Sequence, residues 1–141
     1  MQVRMAPAGV WRSTISSLMV MGLAHEVSVG TIFRMRDFTW SKTQKEAARH
    51  AFDLASQRDT QAIRSEVEGM LRNSKEPRVV WQIEDYLFER RREHDRVFDY
   101  RYSVLIYVFA GLVRESLLSE EELEGIGEEK VEAIKGLVSI R

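Results

Sequence analysis

Hydrophobic and polar residues follow the period of an α-helix from Ser41 onward. Ser41 and Gln44 have the spacing of a capping box, in which each side chain bonds the other residue's backbone amide. Asn73, Ser74 and Pro77 end the pattern. The apolar residues between these signals are Ala48, Ala51, Phe52, Ala55, Ile63, Val67, Met70 and Leu71. This spacing predicts one long amphipathic helix.

A second helix is predicted from about Arg78, and it carries two separate stripes at 100° per residue. The first stripe contains Val80, Ile83, Leu87, His94 and Phe98, and we expect it to pack on the first helix. The second stripe contains Trp81, Asp85, Phe88 and Arg92, with Arg91 at the edge between the two. Trp, aromatic and Arg side chains dominate interface energies, so this stripe requires another partner. A second copy of the same helix is a natural candidate, because two-fold contacts are self-complementary.

The remaining segments predict a compact helical unit. Residues 95–99 are polar and interrupt the second helix, whereas residues 104–112 are too uniformly apolar for a surface helix and predict the centre of a core. Ser119 and Glu122 form a second capping-box pattern before a short helix that ends at Gly125, and residues 128–138 predict a last amphipathic helix. We therefore predict an all-α fold, with an extended, dimer-forming stalk over about residues 41–98 and a compact head over about residues 99–141.

The first 34 residues differ from the rest of the chain. No helical face repeats through them, and we expect an extension that is disordered or lies ahead of a native start at Met35. Residues 15–23 are apolar, which leaves a weak secretory signal as an alternative, although they are too few to span a membrane. The predicted domain then comprises residues 35–141.

Composition narrows the classes of function. The 141-residue chain has no cysteine, which excludes a disulfide scaffold and a thiolate metal site and fits a reducing cytoplasm. Its formal net charge of -1 gives no bulk attraction to nucleic acid or to anionic membranes. The one basic run, residues 90–92, is surrounded by acids, so we expect helical and intersubunit ion pairs and no nucleic-acid partner.

No motif for catalysis or for a cofactor is recognisable. The three histidines are scattered, and His94 is expected to be a partly buried or interface side chain. Tyr100, Tyr102, Tyr107 and Phe109 are expected to be core aromatics and not a pigment pocket. We therefore predict a protein that is not an enzyme and that holds no metal and no cofactor.

Several segments after residue 39 have a sequence specific enough to point to one family. The most specific segment is residues 80–87 (VWQIEDYL), together with residues 99–110 (DYRYSVLIYVFA). Shorter matching segments are residues 40–41 (WS), 51–53 (AFD), 91–93 (RRE) and 121–123 (EEL). Through these segments, residues 40–141 resemble the fluorescence recovery protein family of cyanobacteria, over about the last 100 residues and without an obvious gap.

The resemblance implies a function that no catalytic motif could indicate. Proteins of this family are pigment-free helical dimers that bind the photoactivated red form of the orange carotenoid protein, chiefly through its C-terminal domain. They accelerate its return to the orange form and its release from the phycobilisome, which ends non-photochemical quenching. The implied place of action is the cytoplasm, near the phycobilisome and the thylakoid surface.

Residue roles follow from the resemblance position by position. Trp81, Asp85 and Arg91 match a functional patch at the dimer interface, and Val80 matches an apolar interface position. Glu84 stands in this patch where a histidine can occur in the family. On the head, Tyr107 matches an aromatic position implicated in target contact. Ala133 stands where a lysine can occur in the family, and Lys130 and Lys135 are near substitutes for that lysine. The alternative from another class is a dimeric helical adaptor or transcriptional cofactor for a different protein partner, and an enzyme in the helical head ranks last.

Overall fold

The computed structural model describes residues 38–140, and every regular element in that range is helical. Helix α1 spans Lys42–Asn73, α2 spans Val79–Val97, α3 spans Leu105–Arg114 and α4 spans Glu128–Ser139, with a 3-10 helix at Glu121–Ile126. The predicted all-α fold class is confirmed. The predictions for residues 1–34 lie outside the described residues.

The first capping box is present as predicted. The Ser41 amide donates to Gln44 Oε1 at 3.1 Å, and the Gln44 amide donates to Ser41 Oγ at 3.2 Å. These two bonds satisfy amide groups that the first turn of a helix leaves without a partner. At the other end, α1 stops at Asn73, because Ser74 takes an extended conformation.

A core forms around α3, as the uniformly apolar sequence of this segment predicts. Seven of the ten residues of α3 are buried. The first half of α1 packs on this core through Ala48, Ala51, Phe52 and Ala55. The 3-10 helix and α4 close it with Leu123, Ile126, Ile134 and Leu137. Each fully buried Leu, Ile or Phe stabilises the fold by about 1.5–3 kcal/mol, so the head has a substantial core of its own.

The second half of α1 and α2 form an antiparallel helical hairpin. Ser56 and Asp59 contact His94 near the end of α2, and residues 69–74 lie beside Val79 at its beginning. The buried residues of α2 are Val79, Ile83, Arg90 and Val97. These two helices therefore bury fewer apolar side chains against each other than the core around α3 contains.

The predicted packing stripe of α2 is wrong for Val80 and Leu87, which are 58% and 41% exposed. Ile83 is buried as predicted, and His94 is partly buried. The observed stripe is rotated from the predicted one by about 60° at 100° per residue. The rotation is caused by a polar contact, in which the buried Asp59 carboxylate on α1 binds the Arg90 side chain. A search for apolar periodicity does not count an arginine as a buried position.

Arg58 connects α1 to the 3-10 helix. Its guanidinium donates to both Glu122 oxygens, at 2.8 and 2.6 Å, and to the Leu117 carbonyl at 2.8 Å. Glu122 also belongs to the second predicted capping box, in which it accepts the Ser119 amide at 2.9 Å and its own amide donates to Ser119 Oγ at 3.3 Å. The hydrogen bond from Arg58 is the main reason that the pKa of Glu122 falls to about 2.

We predict that Glu122→Gln removes an acid-sensitive part of the stability. The pKa of Glu122 is lowered from 4.5 to about 2 on folding, so its contribution is complete above pH 4.5 and is lost as the pH falls towards 2. The Arg58 side chain is 42% exposed, so solvent weakens this ion pair. When the pH is lowered from about 6 to about 3, we expect the unfolding free energy of the wild type to fall by about 1 kcal/mol more than that of the variant. Urea unfolding at both pH values measures this difference. Glu121→Gln, an exposed neighbour, is the control, and parallel pH profiles for wild type and Glu122→Gln would contradict the prediction.

We also predict that Gly125→Ala destabilises the contact between the 3-10 helix and α1. A Cβ at Gly125 would lie 2.8 Å from the Ala47 Cβ, well inside a normal carbon contact. The expected loss in unfolding free energy is about 1–3 kcal/mol. The matched control is Gly136→Ala in α4, where nothing lies within 4 Å of the added atom, and where helix propensity predicts a gain of up to about 1 kcal/mol. Equal losses in the two variants would show that the close approach is not the cause.

Candidate functional site

The outer face of α2, defined by Trp81, Asp85, Phe88 and Arg92, lies on the side of the helix opposite α1. Trp81 is 67% exposed and Phe88 is 62% exposed. The Arg92 guanidinium lies 5.8 Å from the centre of the Phe88 ring and 3.8 Å from the Glu89 carboxylate. Two large aromatic side chains exposed to water on one helix face are typical of a surface that contacts another protein. The structure therefore places the second predicted stripe at the surface.

A second exposed surface, the lateral face, consists of Val80 and Leu87 on α2. Both side chains lie within about 40° of His94 around the helix at 100° per residue. The His94 ring is hydrogen-bonded to Ser56 of α1, so this face adjoins α1. Leu71 of α1 is also exposed, at 53%, but it lies about 60° around that helix from Ser56 and outside the lateral face.

The two faces are continuous around α2. Glu84 and Arg91 are exposed between them, and Arg91 Nε donates to both Asp95 oxygens at 3.2 and 3.1 Å. The structure thus brings together on one broad side of α2 the whole predicted interface set: Val80, Trp81, Glu84, Asp85, Phe88, Arg91 and Arg92. Their role in binding stays a prediction.

A buried charged cluster that was not predicted from the sequence lies on the inner side of α2. Asp59 is 2% exposed; its Oδ1 accepts from Arg90 Nη2 at 2.9 Å, and its Oδ2 lies 2.6 Å from His94 Nδ1. Arg90 Nη1 also donates to Glu93 Oε2 at 2.8 Å. Burial opposes the charge on Arg90, but Glu93 and Asp59 outweigh this effect and keep the pKa of Arg90 above its ordinary value.

A sequence signal for this cluster exists in retrospect. Asp59 is four residues from both Ala55 and Ile63, so it interrupts the apolar stripe of α1 at a position that should be buried. A buried carboxylate requires a charge partner and hydrogen bonds, which Arg90 and the His94 ring supply. The expectation that His94 is partly buried is confirmed.

The three predicted target-binding residues of the head have different surroundings. Tyr107 is half-buried on α3, and Lys135 is exposed beside Glu132 and Glu120 at 3.3 and 3.9 Å. Lys130, in contrast, is 3% exposed. Its contribution to a target contact stays a prediction, but this side chain is not at the surface in the structure.

Lys130 of α4 instead contacts the first turn of α1 and the segment that precedes it. Its ammonium donates to Gln44 Oε1 at 3.1 Å and lies 4.8 Å from the ring centre of Trp40 and 5.5 Å from that of Phe38. Burial in this aromatic setting lowers the pKa of Lys130. A structural role in the packing of the head accounts for all of these contacts.

Residues 38–140 contain neither a metal site nor a membrane-spanning helix. Within that range, no group of three or more His, Asp or Glu side chains is arranged to hold a metal ion. In the same residues, no helix combines the length and apolar character that crossing a membrane requires. The continuous outer and lateral faces are therefore the candidate site that the described residues offer.

A helical hairpin with a broad aromatic and charged face is typical of a protein that acts by contact with other proteins. The family model described as photoprotection regulator fluorescence recovery protein matches residues 40–138. The chain belongs to the fluorescence recovery protein family, a family of regulators. The resemblance expected from the sequence is confirmed.

Individual relatives agree with this assignment. The fluorescence recovery protein of Synechocystis sp. is 32% identical over 101 residues, which is 72% of this chain and 93% of the relative. The solved structure of the Fremyella diplosiphon fluorescence recovery protein has a TM-score of 0.64 and 33% identity, over 70% of this chain and 97% of that chain. The solved Synechocystis structure also has a TM-score of 0.64, with 32% identity over the same shares.

Proposed function

We propose that this chain binds the photoactivated red form of the orange carotenoid protein, chiefly through that protein's C-terminal domain. Binding accelerates the return to the orange form and promotes release from the phycobilisome, so that non-photochemical quenching ends. The chain acts in the cytoplasm, near the phycobilisome and the thylakoid surface, without a pigment or cofactor of its own. Membership of a family of photoprotection regulators supports this proposal.

The observation that carries the proposal is the exposure of the outer face. Trp81 and Asp85 occupy the positions that the family resemblance implies for function, and both are accessible on α2. Exposing Trp81 and Phe88 to water is unfavourable, and burying them against a partner would recover about 25 cal/mol for each Å² removed from water. On the head, Tyr107 and Lys135 form the proposed second contact.

The lateral face supports the proposed homodimer. Val80 and Leu87 expose apolar surface on α2. A second copy related by a two-fold axis would cover these two residues on each chain, beside the rest of the predicted interface set. Arg91 lies between this face and the outer face, so one dimer could present a continuous surface built from two copies.

The proposed mechanism is a shift of conformational populations in the partner. A protein that binds the state between the red and orange forms more tightly than the red form lowers the barrier to reversion. Each tenfold gain in rate requires about 1.4 kcal/mol of differential binding. No covalent bond changes, so surface complementarity is sufficient and no acid or base is required.

The dark recovery rate of photoconverted orange carotenoid protein tests the function. We expect the purified chain to accelerate recovery and Trp81→Ala to reduce the acceleration about tenfold or more, since aromatic residues at interface centres carry about 2 kcal/mol or more. Gln82→Ala is the matched control, because Gln82 is exposed on the neighbouring side of α2 and outside both faces.

Two results would count against the proposal. Equal losses in Trp81→Ala and Gln82→Ala would show that the outer face is not the contact. Failure of the folded wild-type chain to accelerate a matching carotenoid protein would favour the alternative, a dimeric helical adaptor or transcriptional cofactor for another protein.

A separate prediction concerns the dimer. Val80→Glu places a charge in the lateral face, so burying that face against a second copy would leave a carboxylate without water or a cation, and we expect a monomer. Because Val80 is 58% exposed in a single chain, the helix content should not change. Light scattering measures the mass, and Gln82→Glu, which adds the same charge on another side of α2, should stay dimeric. A fully dimeric Val80→Glu would exclude the lateral face as the interface.

A further inference from the structure

The buried cluster of Asp59, Arg90 and His94 lies where few apolar contacts hold α2 against α1. Ile83 and Val97 are buried on the inner side of α2, and Arg90 is the buried residue between them. These two apolar contacts are 14 residues apart, which corresponds to about 21 Å along a helix. Between them, α2 contacts α1 through the hydrogen bonds of Arg90 and His94 to Asp59, beside the half-buried Tyr86.

Polar contacts fix rotation in a way that apolar contacts do not. Each oxygen of Asp59 has its own partner, with Arg90 on Oδ1 and His94 on Oδ2. Arg90 is also held by Glu93, and the Tyr86 side chain interacts with the same guanidinium. A guanidinium fork has a narrow range of productive orientations, whereas apolar side chains tolerate sliding.

The outer face is the part of α2 most sensitive to such a rotation. Trp81 and Phe88 lie on the far side of the helix from Asp59, so they move with any turn about the helix axis. At a side-chain radius of about 6 Å, a rotation of 20° displaces them by about 2 Å. Misplacement of this size exceeds the tolerance of a specific contact, which is about 0.5 Å.

We propose that Asp59, Arg90 and His94 are positioning residues that set the rotation of α2, and with it the arrangement of the outer face that recognises the partner. The inference rests on the proposed function for its effect on recovery, but the rotation itself is independent of any partner. A buried ion pair is often replaceable by apolar residues without loss of stability, so specificity of arrangement is the property that its presence in this chain supports.

The main test replaces the whole cluster in the triple variant Asp59→Leu, Arg90→Met, His94→Leu. This variant removes the buried Asp59 carboxylate together with both of its partners, and Glu93, which loses Arg90, is 17% exposed and can reach water. We therefore expect the variant to fold, with a urea midpoint at or above that of the wild type. We expect its acceleration of carotenoid-protein recovery to fall at least tenfold. The control is Arg96→Met, an exposed arginine of the same helix. A folded triple variant that accelerates recovery within about twofold of the wild type would overturn the inference.

Spin labels test the rotation without a partner. The chain has no cysteine, so Arg64→Cys on α1 and Gln82→Cys on α2 can be labelled selectively. Both positions are exposed, and dilution with unlabelled chain isolates the distance within one protomer. We expect a narrow distance distribution in the otherwise wild-type chain and a shifted or broadened one in the triple variant. An unchanged distribution would overturn the inference, even if the wild type itself failed to accelerate recovery.

Arg90→Lys keeps the inference testable if the triple variant does not fold. Lysine retains the charge beside Asp59 but loses the fork that also reaches Glu93. A folded Arg90→Lys with a shifted distance distribution and at least threefold lower acceleration supports positioning by the fork. A folded Arg90→Lys variant with the wild-type distance distribution and the wild-type acceleration of recovery overturns the inference.

Discussion

Two consecutive residues in the middle of α1, Arg58 and Asp59, connect this helix to the head and to α2. Arg58 binds Glu122 and the Leu117 carbonyl of the head. Asp59 binds two side chains of α2. Because adjacent residues on a helix point about 100° apart, one turn of α1 can bind the head on one side and α2 on another. The orientation of the candidate binding faces relative to the head therefore depends on this turn.

The continuity of α1 makes this arrangement rigid. Its 32 residues run from the core of the head to the end of the hairpin. Small side chains at Ala47 and Ala48 allow the 3-10 helix to approach closely, and Gly125 has no room for a side chain there. The predicted division into stalk and head near residue 98 stays a prediction, but the first half of α1 belongs to the packing of the head.

Local signals in the sequence predicted the elements well, since capping boxes and uniform apolarity need no knowledge of distant contacts. Both capping boxes and the central position of α3 are confirmed. The rotation of α2 was predicted wrongly, because Arg90, Arg91 and Arg92 are alike in sequence. Only a buried carboxylate 31 residues away distinguishes Arg90 from its neighbours.

The environment of Lys130 could not be predicted for a similar reason. It depends on Phe38 and Trp40, which precede the first helix and pack against the last. No periodicity connects such distant segments. A family resemblance transfers a residue position, but it does not show whether that side chain is exposed or buried in this chain.

The distribution of apolar burial indicates which part of the molecule gains most from a partner. The head buries seven residues of α3 alone, and its core is closed within one chain. The hairpin buries three apolar residues of α2 and leaves Val80, Trp81, Leu87 and Phe88 exposed. Regions with few buried contacts open at lower free energy than well-packed cores. A second copy or a target protein that covers the hairpin would therefore add stability where the single chain has least, which couples the order of this region to binding.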